Sequence, residues 1–238
     1  MRRRALIITL LFLACEPPHA PAALRDCNRT GTSPIDLSPI GTTAPGSAIR
    51  SVVARVNQLA PAEPACLLAS LPRPLSVIAS TSVTSAQPAV GRQSPRLFLL
   101  NDRLVTSFVP EGDGVHLVEF GEWVDGRRTL KGELELPRAD VLPEDLPFKR
   151  VLYGSPATTC GLCHREESDA GAPEGAFTSL AFRPSPRSVV PLSELVTAHD
   201  ACTRTADESG RCQVLHALFD FGEVNPGAFD AGVALFTD

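Results

Sequence analysis

Arg96-Leu97-Phe98-Leu99-Leu100-Asn101-Asp102-Arg103-Leu104-Val105-Thr106-Ser107-Phe108-Val109 is the stretch that decides the fold. Two apolar-rich runs are separated by Asn101-Asp102, residue types that favour turns, so the segment reads as two strands folded back on one another. The pattern continues on both sides. Leu75–Ser80 is a candidate strand upstream, and 115–120 and 130–136 follow downstream, set off by Glu111-Gly112-Asp113-Gly114 and Asp125-Gly126. Short turns at close spacing leave no room for crossover helices, so the spacing predicts an antiparallel meander. Before it, Ser47 can cap a helix whose Ile49, Val52, Val53, Val56 and Leu59 recur at helical spacing and which ends before Pro61. A short second helix would hold Cys66, Leu67 and Leu68. After it, Pro191 opens a helix with Leu192, Leu195, Val196 and His199 on one face. A second, over about 211–221, carries Cys212, Leu215, His216 and Phe219 on one face and stops at Gly222. The fold class is therefore α+β: an antiparallel meander with an N-terminal helix and a C-terminal helical hairpin, in one domain over 47–238.

The N-terminus reads as an export signal. Arg2-Arg3-Arg4 is a positive region, and 5–14 is apolar over a length suited to a signal peptide and too short to span a bilayer. Phe12-Leu13-Ala14-Cys15 resembles a bacterial lipobox. In such signals the cysteine is lipidated and becomes the mature N-terminus, so 1–14 would be removed and Cys15 would anchor the chain to a membrane. Ordinary secretion with cleavage near Ala20 or Ala23 is the alternative. Residues 15–46 are rich in Pro, Ala, Ser, Thr and Gly and read as a flexible tether. The expected location is periplasmic or outer-membrane-associated, as a lipoprotein.

The chemistry-bearing motif is Cys160-Gly161-Leu162-Cys163-His164. Cys-x-x-Cys-His is the attachment pattern of a c-type haem. Cysteines at i and i+3 lie one helical turn apart on the same face, from which both thiols reach the two vinyl groups of one porphyrin. His164 is then placed to ligate the iron. Two other readings stay open: a redox or structural Cys160–Cys163 disulfide, and a zinc site. Zinc wants four ligands, and no second Cys/His pair stands at ligand spacing. A thioredoxin-like motif would open a long helix, whereas Asp169-Ala170-Gly171-Ala172-Pro173 ends any helix soon after this one.

Cysteine arithmetic agrees with export. Of seven cysteines, Cys15 is assigned to lipid and Cys160 and Cys163 to haem. Cys202 and Cys212 flank a turn and form the nearer pair; Cys27 and Cys66 pair by elimination, one of three possible connectivities. Composition excludes other classes. The formal charge is −5 and lysine occurs only as Lys131 and Lys149, so nothing neutralises a phosphate track and nucleic-acid binding has no support. No Ser/His/Asp order, phosphate loop or carboxylate pair supports a hydrolase.

Pro95-Arg96-Leu97-Phe98, Ser107-Phe108-Val109-Pro110 and the single Cys160-to-His164 motif together resemble exported bacterial c-type cytochrome-like haem proteins of the lipoprotein type. The resemblance covers roughly 75–165, and its specific part is the haem motif. This chain departs from the group after the histidine, where Arg165-Glu166-Glu167 replaces a polar Gly/Asn run. The resemblance implies haem binding and no particular substrate. Met1 is the only methionine and lies in the signal, so His/Met ligation is closed to the mature chain. His199, then His216, then His116 are the candidates for a sixth ligand, each also readable as an ordinary hydrogen-bonded histidine. The expected function is a membrane-tethered haem c protein that carries electrons to or from a redox partner protein. The alternatives are a non-enzymatic surface lipoprotein with a structural Cys160–Cys163 disulfide and no cofactor, and a haem enzyme acting on peroxide or another small molecule.

Overall fold

A computed structural model describes Leu24, Cys27, 44–154 and 157–236. The expected signal at 1–14, the expected lipidation at Cys15 and most of the expected tether lie outside the described residues. The architecture is α+β, built on a nine-stranded, mainly antiparallel sheet.

The meander forms as the alternation requires. Strands β1 (Leu75–Ser80), β2 (Arg96–Leu100), β3 (Leu104–Phe108), β4 (Leu117–Trp123) and β5 (Arg128–Glu135) pair antiparallel in sequence order. The register aligns Val77, Leu99, Thr106, Phe120 and Gly132 across the sheet. Because side chains alternate, these residues share one face with Leu97, Phe108, Val118 and Leu134. The opposite face carries Phe98, Ser107, Glu119, Lys131 and Glu133. This second face builds the site.

Helices cover the first face. Apolar residues of α1 (Ser47–Val56) and α2 (Pro64–Ser70) join one buried cluster with Leu97, Leu99, Phe108, Val118 and Leu134. Leu24 and Cys27 belong to the same cluster, so the chain before α1 is fastened to the core at that point. Gly46, one residue earlier than expected, is the N-cap of α1. The helix start is held by the sheet: the amides of Gly46 and Ile49 donate to the two oxygens of Glu122 on β4 at 3.0 and 3.1 Å, and Arg103 pairs with the same carboxylate. A buried anion thus sits where the helix dipole is positive.

After β5 the chain forms α3 (Leu146–Arg150), then a one-turn 3-10 helix at Thr159–Leu162 that contains Cys160. Short strands β6 (Ser168–Asp169) and β7 (Phe177–Leu180) return it to the sheet, β7 pairing with β5 through Leu130 and Thr178. Next come β8 (Phe182–Arg183) and β9 (Val189–Val190), then helices α4 (Leu192–Thr205) and α5 (Gly210–Phe219). The two helices pack against each other, clamped by a Cys202–Cys212 disulfide; the other disulfide joins Cys27 and Cys66. Apolar residues of both helices, among them Leu195, Leu215 and Leu218, join the cluster on the first face. Finally β10 (Val224–Pro226) pairs parallel with β1, and β11 (Ala234–Leu235) pairs with β8. Strands β6 to β11 were not expected, and they carry the chain over the second face. Two disulfides suit an oxidising compartment. Among the described residues no helix is long and apolar enough to cross a membrane.

Candidate functional site

The second face of the sheet and the chain that crosses it enclose a cavity of about 190 Å³, with Cys160, Cys163 and His164 in its wall. The Cys-x-x-Cys-His segment is a single helical turn. The Cys163 and His164 amides both donate to the Cys160 carbonyl, at 3.2 and 2.8 Å. Closing that turn brings both cysteines to the cavity. They stand as separate thiols, Cys160 half-buried and Cys163 exposed.

Glu167 fixes the turn. Its carboxylate accepts the Thr158 amide at 2.8 Å and the Thr158 hydroxyl, and Thr158 caps the 3-10 helix by accepting from the Gly161 amide. A Cβ at Gly161 would lie 2.9 Å from both Glu167 oxygens, so glycine lets this tethered carboxylate pass beneath the motif. Among the charged residues after the histidine, Glu167 thus has a local structural role.

His164 is oriented by backbone. Its Nδ1 lies 2.7 Å from the Leu180 carbonyl at the end of β7. A carbonyl only accepts, so Nδ1 carries the proton and Nε2 keeps its lone pair. Burial, with Lys131 beside it, pulls the imidazole down to about 3, so the ring is neutral. The Phe182 ring packs against it with centroids 5.4 Å apart. Metal-ligating histidines are commonly held in this way, one ring N–H tied to a carbonyl while the other nitrogen keeps its lone pair available.

In the sequence Lys131 is one of two lysines and falls within a candidate strand, with nothing to mark it as a site residue. Its amine is buried, donates to Thr129 Oγ1 at 2.7 Å and to the Leu180 carbonyl at 3.3 Å, and lies 3.4 Å from His164 Nδ1. One carbonyl therefore gathers the imidazole N–H and the amine. Desolvation lowers Lys131 to about 8. Burial pushes the Cys160 thiol up to about 11, with Lys131 pulling the other way. A thiol held protonated is a weak nucleophile.

The remaining walls are two-sided. Phe98, Val105, Trp123, Phe182, Phe229 and Phe236 supply apolar surface. Arg96 stacks on the Phe98 ring at 4.7 Å, donates to Ser107 at 2.9 Å and pairs with Glu119; Arg150 pairs with Glu133 at 3.3 Å. Arg96, Ser107, Glu119 and Glu133 alternate with apolar residues along the strands and read in the sequence as a solvent face. No local pattern reveals that the C-terminal segment covers them.

The structure brings Cys160, Cys163 and His164 together and places the other histidines elsewhere. His116 lies before β4, 4.0 Å from Glu135. His199 and His216 are not in the cavity wall. They sit on the hairpin that packs on the first face, and both bind Asp220 at 2.7 Å. As sixth ligands to an iron held at His164 they are misplaced, because the sheet lies between. Nothing in the sequence marked Asp220 as their partner beyond its position four residues after His216.

Comparison with known proteins finds no matching family model, no matching curated protein and no matching solved structure.

Proposed function

We propose that this chain is an exported c-type haem protein that carries electrons. The observation that carries the reading is the donor set in one cavity wall: two unpaired thiols on one helical turn and a neutral imidazole whose Nδ1–H is tied to the Leu180 carbonyl. Among the described residues, the groups of donor atoms close enough to share a single ion do not include Cys160, Cys163 and His164. That spread suits a macrocycle better than a zinc ion. The aromatic walls suit a porphyrin face. The enclosed space is smaller than the roughly 300–1,000 Å³ of pockets that engulf a whole ligand, so the group would keep one edge in solvent beside exposed Cys163.

Cys160 and Cys163 would hold the haem covalently. Each thiol adds across a vinyl double bond: S–H and the C=C π bond give way to S–C and C–H, with no oxidant or reductant consumed. His164 Nε2 would ligate iron while Leu180 holds the ring. Bound haem supplies a one-electron iron couple. Lys131 places a buried amine beside the imidazole, and Arg96 offers a guanidinium at the cavity floor. A lipid anchor at Cys15 would keep the domain at a membrane for its redox partner.

The test is covalent haem content. Full-length protein exported from cells with the cytochrome c maturation machinery is expected to retain haem through acid-acetone extraction, and Cys160→Ser with Cys163→Ser to lose it. A colourless wild-type protein with normal folding overturns the proposal.

A further inference from the structure

Away from the cavity, the helical hairpin gathers a second set of donors. His199 lies on α4, and His216 lies on α5 one turn before Asp220, which ends that helix. The Cys202–Cys212 disulfide crosses the hairpin one turn from each histidine and fixes how the helices face one another. His199 Nε2 stands 2.7 Å from one Asp220 oxygen and His216 Nδ1 2.7 Å from the other. The two imidazoles meet edge to face at 4.9 Å, and Phe219 backs His199 at 5.3 Å. One atom from each of the three residues lies within 4.8 Å of the others. The Asp220 and His216 side chains are 3% and 6% exposed and His199 12%, so the cluster is buried with an outlet past His199.

We infer that His199, His216 and Asp220 form a binding site for one divalent transition-metal ion of the zinc type, separate from the cavity and independent of the haem reading. Two imidazole nitrogens and one carboxylate are a donor set that zinc takes, and three protein ligands leave a fourth position for exchangeable water. Zinc–ligand bonds near 2.0–2.2 Å put tetrahedral ligand atoms about 3.4 Å apart. The two nitrogens, now 2.7 Å from opposite Asp220 oxygens, need open from the carboxylate by less than about 1 Å, and atoms of the set, all within 4.8 Å of one another, need close by no more than about 1.4 Å to hold the ion. Both ligating nitrogens now carry hydrogens toward the carboxylate, so each imidazole changes tautomer: the His216 hydrogen moves from Nδ1 to Nε2, and the His199 hydrogen from Nε2 to Nδ1, where the Asp200 carboxylate lies 3.7 Å away. A carboxylate behind a histidine is the usual outer partner of a metal ligand. The set also keeps clear of the thiols, since Cys202 and Cys212 are bonded to each other.

Equilibrium dialysis of chelator-stripped full-length protein against ZnCl₂, with metal counted per chain, tests this. The same titration on the Cys160→Ser, Cys163→Ser protein removes the thiols as competing ligands. One zinc per chain is expected in both, and cobalt in its place should give visible d–d bands without a thiolate charge-transfer band. His199→Gln keeps a donor for Asp220 and therefore the fold, verified by thermal melting, and should weaken zinc binding by at least about 100-fold, more than loss of an outer partner costs. Asp200→Asn should weaken it about 10-fold. Failure of the thiol-free protein to bind stoichiometric zinc, or binding that His199→Gln leaves unchanged, overturns the proposal and shows that Asp220 only clamps the hairpin.

Discussion

Replacing Glu122 by Ala should be among the most damaging single changes outside the disulfides. Its carboxylate holds the first turn of α1 through two backbone amides and neutralises buried Arg103. Both side chains of that ion pair are at most 2% exposed, so water cannot take over when one partner goes. Breaking a buried pair by removing one member costs about 3–5 kcal/mol. With a urea dependence near 2 kcal/mol/M, the unfolding midpoint should fall by about 2 M. The chain has a single tryptophan, Trp123, next to Glu122 on β4, so its fluorescence reports the transition at the site of the change. Glu122→Leu with Arg103→Met should recover much of the loss, because an apolar pair of similar volume costs less than a buried ion pair that has lost one member. Glu194→Ala is the control: it breaks the solvent-exposed pair with Arg92 and should leave the midpoint where it is. A Glu122→Ala midpoint within error of that control would refute the argument that the sheet anchors the helix.

Further outcomes follow from the same contacts. Glu167→Ala removes the acceptor for the Thr158 amide and hydroxyl, so hydrogen exchange at Thr158 and Gly161 should accelerate about 10-fold or more, the size of a lost charged hydrogen bond of about 1.5–3 kcal/mol. Cys202→Ser with Cys212→Ser opens a link across 10 residues and should cost about 3 kcal/mol, against about 4 kcal/mol for the 39-residue Cys27–Cys66 link, measured by denaturant unfolding. Lys131 has a folded-state value lowered to about 8 against an ordinary 10.5, so between those values the unfolded chain binds more protons than the folded one. Haem-free wild-type protein should therefore gain stability from pH 8 to pH 10 relative to Lys131→Met; parallel stability curves for the two would contradict the burial of that amine.

The meander was legible because its strands are long enough to show alternation and its turns are spelled in Asn, Asp and Gly. Strands β1 to β3 lie where the pattern places them, while β4 and β5 shift by about two residues because pairing with neighbours sets strand ends. Strands β6 to β11 are two to four residues long, too short for any period to emerge. At the site, Cys160, Cys163 and His164 announce themselves, since the spacing itself is the signal. Lys131, Arg96 and Glu119 do not: on a polar strand face they look solvated, and only the C-terminal chain folding over them makes them cavity residues. Helix periodicity put His199 and His216 on apolar faces correctly, yet it carries no information on which side of the sheet the hairpin packs. Likewise, Glu122 acts on a helix more than 60 residues before it, a relation outside any local window.

The pyridine haemochrome spectrum of full-length protein, exported with the cytochrome c maturation machinery, decides whether the cavity holds covalent haem. A c-type band that survives acid-acetone extraction, disappears in Cys160→Ser with Cys163→Ser and persists in His199→Ala with His216→Ala is the expected result. A folded, colourless protein whose Cys160 and Cys163 are found as a disulfide would contradict it and leave a surface lipoprotein without a cofactor.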